Sequence, residues 1–503
     1  MNTTVTVKSI IDPTKSYQYI DNGNPMRGGM KDVFFSPDKK YVVALFRDPQ
    51  DFNSKERLKK IATQYRDAFF NREGGDYYKN LYCWPEDVIE KGKQIGIIVP
   101  AYNHKFLFTR GYFSSDLIKG KDKEGKWFAS PKFRNKQFSL RLDDSELGNW
   151  LSYLQISVNI VRGVKRMHAA GLAHSDLSYK NVLIDPVTRS ANIIDIDGLV
   201  VPGLFPPDVI GTADFIAPEV LATKHLPLTD PNRKLPRRET DLHALAVLIY
   251  MFLLYRHPLK GGKVHDLDTE KDDLLSMGEK ALFIEHPTNP ENRPKLNQVS
   301  KWELPWADVD KLPYTITGPY LKDMFDQAFI KGLHNPQERP PADAWEQALL
   351  KTNDLKLECS NKSCEQRFFI YNNTKDTRCP FCGTRYQETI PVLDLFYQFG
   401  EGTWKPENQR LVIYNNCTLH LWHTDRNVLR NEKLTPQQIE PVGFFQKYNG
   451  KWILMNQKLT GLKDLTEDKD IAVGEMVELA EGKKLLLSRE KGGRIVVISI
   501  ANT

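Results

Sequence analysis

Asp176 and Asn181 stand five residues apart in HSDLSYKN (174–181), and Asp195 follows in IIDID (193–197). On one loop, an Asp can accept a proton while an Asn offers an oxygen to a hard cation. A further carboxylate at the end of an apolar stretch can complete an oxygen cage around Mg²⁺ and the phosphates of a nucleoside triphosphate. GTADFIAPE (211–219) comes next, so three such segments fall in order within about fifty residues.

A second group has different chemistry. Cys359, Cys364, Cys379 and Cys382 are spaced C-x4-C, fourteen residues, C-x2-C, with turn residues in NKS and CPFCG. Four thiolates on two tight turns suit one tetrahedral Zn²⁺ with no open ligand position, so the expected site is structural. Cys83 and Cys417 stand alone and are expected to be packed thiols. Lys362, Arg367, Arg378 and Arg385 are the few basic residues nearby, and a nucleic-acid partner is not expected.

The elements that must position these residues follow from pattern. A chain of 503 residues is too long for one core, and about three domains are expected. The net charge of +6, from 70 basic and 64 acidic residues, is too slight to imply nucleic-acid binding. The first residues lack the basic region and apolar core of a signal peptide. AVLIYMFLLY (246–255) is half a membrane span and reads as a buried helix. A soluble, cytoplasmic protein without a membrane partner is expected.

VFFSPDKKYVVALF (33–46) reads as two strands around a Ser-Pro-Asp turn. SKERLKKIATQYRDAFF (54–70) reads as a helix with Leu58, Ile61, Tyr65 and Phe69 on one face. KQIGIIVPAY (93–102) reads as a buried strand stopped by Pro100. Residues 145–350 read as mainly helical. From about 390, the short runs RLVIY, LHLWH, KWILMN, MVELA, KKLLLS and RIVVISI indicate a sandwich or barrel.

Over roughly residues 20–352 these motifs resemble a eukaryotic-type Ser/Thr protein kinase. The resemblance implies an α+β, bilobal protein-kinase-like fold, followed here by a zinc ribbon and a small all-β sandwich. The expected boundaries are 1–103 for the N-lobe, 104–352 for the C-lobe, 353–389 for the ribbon and 390–503 for the sandwich. By the family pattern Asp176 is the catalytic residue, Asn181 and Asp195 hold Mg²⁺, and ATP is the cosubstrate. Glu219 is expected to pair with Arg339, and Asp241 to hold the catalytic loop through backbone N–H groups.

IDID departs from the usual Asp-Phe-Gly. If Asp195 is the family Asp, Ile196 and Asp197 replace Phe and Gly. If Gly198 is the family Gly, no metal ligand matches. Ile193 and Ile194 precede Asp195 as a buried strand should, which favours the first alignment. Asp197 is then a second ligand, an acceptor for the loop or a solvated turn residue.

In RGGMKDVFF (27–35), Gly28 and Gly29 form a shortened phosphate loop and Val33 covers the adenine. Aligning Val43-Ala44 with the family's Val-Ala-x-Lys puts Phe46 at the lysine position, with Ala44 on the same strand face and Arg47 on the other. Lys31, in the glycine loop, or Arg47 is left to meet the phosphates. Glu56 and Asp67 are candidates for the lysine's acidic helix partner. Val99 is near the gatekeeper, and Pro100, Ala101 and Tyr102 form the hinge.

CWPEDVIEKGKQIGIIVPAY (83–102), HPLKG and ERPPADAWEQAL resemble a bacterial group of kinase-like proteins encoded near tellurite-resistance and stress operons. That likeness implies phosphatase and von Willebrand A-type partners beside the protein substrate. Ser175 replaces the Arg that clamps a phosphorylated activation loop, and no Ser, Thr or Tyr lies between Gly198 and Gly211. Control by loop phosphorylation is therefore not expected. The tail vaguely resembles a forkhead-associated fold, but His420 and His423 do not match its phosphothreonine pocket, and a docking sandwich is expected. A nucleotide-binding pseudokinase scaffold is the alternative function.

Overall fold

The computed structural model describes residues 3–201, 205, 211–372, 375–400 and 402–501. Most of the stretch noted for lacking Ser, Thr and Tyr, residues 202–204 and 206–210, lies outside the described residues. The chain divides into two compact units. The first comprises Met1–Gly148, Ser152–Lys311 and Met324–Glu346; the second comprises Asn149–Leu151, Leu312–Asp323 and Gln347–Thr503.

The first unit begins with a seven-stranded antiparallel sheet in the order β2-β1-β6-β7-β5-β4-β3. The strands are β1 (Thr3–Ser9), β2 (Ser16–Asp21), β3 (Met26–Arg27), β4 (Lys31–Phe35), β5 (Tyr41–Phe46), β6 (Asp87–Lys91) and β7 (Gln94–Pro100). Alternation sorts their side chains onto two faces. Ala44, Phe46, Val88, Ile97 and Val99 pack with Leu58 and Ala62 of the helix. Val43, Leu45 and Ile98 pack with Tyr19 and Phe34 on the other face. The expected hairpin closes through Ser36 and Tyr41, and its pairing sets Val33 opposite Ala44 and Lys31 opposite Phe46.

Helix α1 (Phe52–Lys60) is capped by the Asp51 carboxylate on Ser54 N–H, at 2.7 Å. It runs into a π-helical turn at Ile61–Tyr65 before Arg66–Phe70 resumes α geometry. The wider turn shifts the phase of the apolar face. Leu58, Ile61 and Phe69 are buried as expected, but Ala62 and Phe70 are buried too and Tyr65 is only half-buried.

Residues 104–148 hold only short helical turns, at His104–Phe106, Gly125–Trp127, Pro131–Arg134 and Asp144–Leu147. Their anchor is Lys123, buried between Glu146 at 2.8 Å and Asp185 at 2.9 Å. The helix Trp150–Ala169 precedes the catalytic-type loop, and β8 (Val182–Asp185) with β9 (Ser190–Ile193) forms the hairpin after it. The helix Arg238–Leu254 is buried almost all round, as its near-continuous apolar sequence requires. No helix among the described residues is long and apolar enough to cross a membrane.

In the second unit, β10 (Lys356–Glu358) and β11 (Phe368–Ile370) form a hairpin flanking the first cysteine turn. Beyond Ile390, a six-stranded and a four-stranded antiparallel sheet share one core, which includes Leu393, Phe445, Trp452, Leu454 and Val496. LHLWH is not one strand. The strand ends at His420, and Leu421–Thr424 turns into a short helix. That turn buries His423 near Asp354, at 3.5 Å, rather than on a strand face.

Candidate active site and cysteine cluster

The helix Arg238–Leu254 builds the loop that carries Asp176. Thr240 caps the helix, its hydroxyl bonding Arg237 O and accepting from Arg237 N–H. This leaves the Asp241 carboxylate free to reach across. It accepts N–H bonds from His174, at 2.7 Å, and Ser175, at 3.1 Å. Asp241 therefore acts as the expected loop holder and does not cap its own helix. His174 Nε2 contacts Ile194 O at 2.9 Å, joining the loop to the segment that carries Asp195.

Asp176 is fixed from two sides. Its Oδ1 accepts from Thr212 N–H at 2.6 Å and its Oδ2 from Asn181 Nδ2 at 2.9 Å. Gly211 makes the first contact possible: its φ of +111° suits glycine, and a Cβ there would lie 3.3 Å from Ser175 O. Asn181 Nδ2 also bonds Asp176 O at 2.8 Å. With its amide nitrogen committed, Asn181 has its carbonyl oxygen left for a cation. Asp195 brings a half-exposed carboxylate, so these residues supply the hard oxygen donors that Mg²⁺ requires.

Ser175 and Asp195 both adopt left-handed backbone angles, with φ of 68° and 62°. Each costs roughly 1–2 kcal/mol in a non-glycine residue. Strain of this kind persists where the surrounding structure fixes the conformation.

Lys31 is the first residue of β4 rather than part of the glycine turn. Because it lies opposite Phe46, it shares a sheet face with the strand-lysine position of the family pattern. Its ammonium lies 5.4 Å from the Phe46 ring centroid. It bonds Asp195 Oδ1 at 2.9 Å and Asp197 at 2.7 and 2.6 Å. Burial disfavours the ammonium, but Asp197 and Asp195 outweigh it and hold its pKa above the ordinary lysine value. Burial likewise works against the Asp195 carboxylate, and Lys31 keeps its pKa below the usual range.

Several sequence expectations change here. Arg47 keeps its side chain off the face that carries the Lys31 ammonium, as strand alternation predicts, although its guanidinium also donates to the Lys31 backbone O at 3.3 Å. Its guanidinium faces the other way, bonding Asp32 Oδ1 at 3.2 Å, Gly28 O at 3.0 Å and Gly29 O. It clamps the glycine turn because strand alternation sends it to the opposite face. Gly28 and Gly29 do not have left-handed φ, and a Cβ at Gly29 would meet nothing within 4 Å. Open space, not backbone conformation, is what glycine leaves at that turn. Of the candidate helix acids, Glu56 pairs with Lys59 at 2.9 Å and Asp67 is exposed, so Lys31 takes its partners from the Asp195–Asp197 segment.

Val33, Ala44 and Val99 come together on one apolar face beside Cys83. The Cys83 thiol contacts Pro100 O at 3.3 Å, and burial pushes its pKa up to about 12. Ala101 N–H is spent on Lys40 O at 2.9 Å, so Ala101 offers no backbone donor at the hinge. Burial and a hydrogen bond to Asp122 hold the Tyr102 phenol neutral. Asp197 and Thr212 are residues whose contacts sequence reading missed. Counting the hairpin back from its Ser36–Tyr41 closing pair would have set Lys31 opposite Phe46, but nothing in the sequence points Asp197 inward.

Glu219 and Arg339 form the expected pair, bidentate at 2.9 and 2.7 Å. In the second unit, the sulfurs of Cys359, Cys364, Cys379 and Cys382 lie within 4.8 Å of one another. The Cys359–Cys382 and Cys364–Cys379 distances are 3.5 and 3.8 Å. Thiolates about 2.3 Å from one tetrahedral ion would be about 3.8 Å apart, so the cluster fits Zn²⁺. Nearby Arg378 and Arg385 both pair with Asp376, and Lys362 with Glu358, so local acids offset these basic groups.

The middle of the chain is similar to known protein kinases. Residues 142–342 match the protein kinase domain family. The mouse dual serine/threonine and tyrosine protein kinase is 26% identical over 179 residues, 35% of this chain and 17% of that protein. Its chicken counterpart is 35% identical over 190 residues, 37% of this chain and 18% of that protein. The chain thus spans less than a fifth of the length of these relatives. A crystal structure of a Toxoplasma gondii rhoptry antigen kinase domain aligns with a TM-score of 0.39 and 12% identity, covering 70% of this chain and 86% of that one. The chain carries a protein-kinase-like fold of mixed helices and sheets, with the kinase family match running from Leu142 to Ala342.

Proposed function

We propose that this protein is an ATP-dependent Ser/Thr protein kinase. The observation that carries the reading is the convergence of Asp176, held by Asn181 and Thr212, with a Lys31–Asp195 pair joined through His174 and Ile194. Asp176 orients the protein hydroxyl and accepts its proton. The hydroxyl oxygen bonds the γ-phosphorus, the bond from that phosphorus to the β,γ-bridging oxygen breaks, and ADP leaves with the electron pair. Asn181 and Asp195 would hold Mg²⁺, which supplies charge neutralisation at the phosphates. Lys31 adds a fixed positive charge from the strand opposite Phe46. Val33, Ala44 and Val99 form the adenine face, with Tyr102 at the hinge. The Gly28–Gly29 turn, clamped by Arg47, lies over the phosphates.

The cysteine geometry supports a zinc ribbon over 353–389, and two sheets on one core support a docking sandwich over 390–503. Lobes at 1–103 and 104–352 complete the proposed organisation. Clustered, unpaired thiols favour a reducing, cytoplasmic setting. The hinge resemblance supports a role in bacterial stress signalling with phosphatase and von Willebrand A-type partners.

A second reading, a nucleotide-binding pseudokinase scaffold, is favoured by Phe46 standing at the strand-lysine position. Incubation with γ-labelled Mg²⁺-ATP and a generic Ser/Thr protein substrate separates the two. The kinase reading expects label on Ser or Thr, abolished by Asp176→Ala. ATP binding without any transfer would establish the scaffold instead.

A further inference from the structure

The two carboxylates that meet Lys31 are not equivalent. Asp197 receives the ammonium on both oxygens, at 2.7 and 2.6 Å, and its side chain is 8% exposed. Asp195 receives it on one oxygen at 2.9 Å and is 46% exposed. A cation arriving at Asp195 competes with Lys31 for that carboxylate, whereas Asp197 can keep its hold. Asp197 sits in a short 3₁₀ turn, Ile196–Gly198, pinned by the buried Ile196.

We propose that Asp197 is the positioning residue for Lys31, a loop carboxylate doing here what a helix carboxylate would otherwise do. The proposal rests on the nucleotide site described above. A lysine ammonium rides on a four-carbon stem with about 2 kcal/mol of rotamer entropy. A buried, two-oxygen clamp removes that freedom before the phosphates arrive, which is how a fixed charge favours phosphoryl transfer. The competing account makes Asp197 a negative charge near the phosphates and nothing more. The two accounts predict opposite signs, because neutralising a mere repulsive charge tightens ATP binding.

The test is ATP affinity of the full chain, by calorimetry with and without Mg²⁺, for wild type, Asp197→Asn, Asp197→Glu, Lys31→Met and the Lys31→Met/Asp197→Asn pair. We expect Asp197→Asn to weaken ATP binding about tenfold and Asp197→Glu to recover most of it. In the Lys31→Met background, Asp197→Asn should cause no further loss. Unchanged or tighter binding by Asp197→Asn, or an equal loss in both backgrounds, would overturn the positioning role while leaving the nucleotide site intact. A wild-type protein that binds no ATP would overturn the nucleotide site itself, and this proposal with it.

Discussion

At the scale of single residues, cross-strand geometry explains what linear alignment leaves blank. The position of the absent strand lysine is filled by Phe46, and the residue facing it, Lys31, brings the ammonium to the same side of the sheet. Lys31→Met should therefore impair ATP binding and transfer, and adding Phe46→Lys should restore part of both, because the new ammonium projects into the same space. Failure of the double variant to bind ATP any better than Lys31→Met would contradict the equivalence of the two positions. Arg47→Ala should weaken ATP binding less than Lys31→Met does, since its guanidinium holds the glycine turn through Gly28 O and Asp32 and does not itself face the Lys31 side of the sheet. The types and spacing of Asp176, Asn181 and Asp195 make them legible as candidates in the sequence itself. Asp197 is not legible there as a buried partner, because burial depends on how the 3₁₀ turn aims the side chain and not on its neighbours in sequence.

At the scale of elements, long-range polar contacts fix the loops. Arg339 is 4% exposed and bidentate to Glu219, so Arg339→Met leaves a partly buried carboxylate without its partner. The expected cost is about 3–5 kcal/mol, measurable by urea unfolding. His257 makes stability depend on pH. Its Nδ1 accepts from Leu259 N–H and its Nε2 meets Asp214 O, so the folded ring is neutral. Burial lowers its pKa to about 4. The unfolded value is about 6.5, so its stabilising contribution is complete above pH 6.5 and is lost as pH falls towards 4. Up to about 3 kcal/mol should disappear across that window, and His257→Gln should flatten the profile there. Strand and helix patterns are legible for β4, β5, β7 and α1. The π-helical turn at Ile61–Tyr65 is not, because a single extra residue in a turn leaves composition unchanged while moving Phe70 into the core. LHLWH misleads for a related reason: alternation marks a strand only while pairing continues, and here pairing stops at His420.

At the scale of the whole molecule, the chain combines a protein-kinase-like region with a cysteine cluster and a β-rich segment. The cysteine spacing carries most of its own geometry, since two knuckles have few ways to bring four sulfurs within 4.8 Å. Residues 104–148 carry almost none, having no periodicity and depending on Lys123 buried between Glu146 and Asp185. Metal analysis should find one zinc per chain in protein purified without chelator, and Cys379→Ser with Cys382→Ser should remove it. Full zinc retention by that double variant would refute the assignment. Asp176 is proposed to act in phosphoryl transfer at an intact nucleotide site. Its most direct test measures ATP affinity and single-turnover transfer of the γ-phosphate in the same preparations of wild type and Asp176→Ala. Similar ATP affinity is expected in both, with transfer reduced at least about a hundredfold in the variant. Equal transfer by both proteins, or no transfer by wild type with ATP bound, would contradict it.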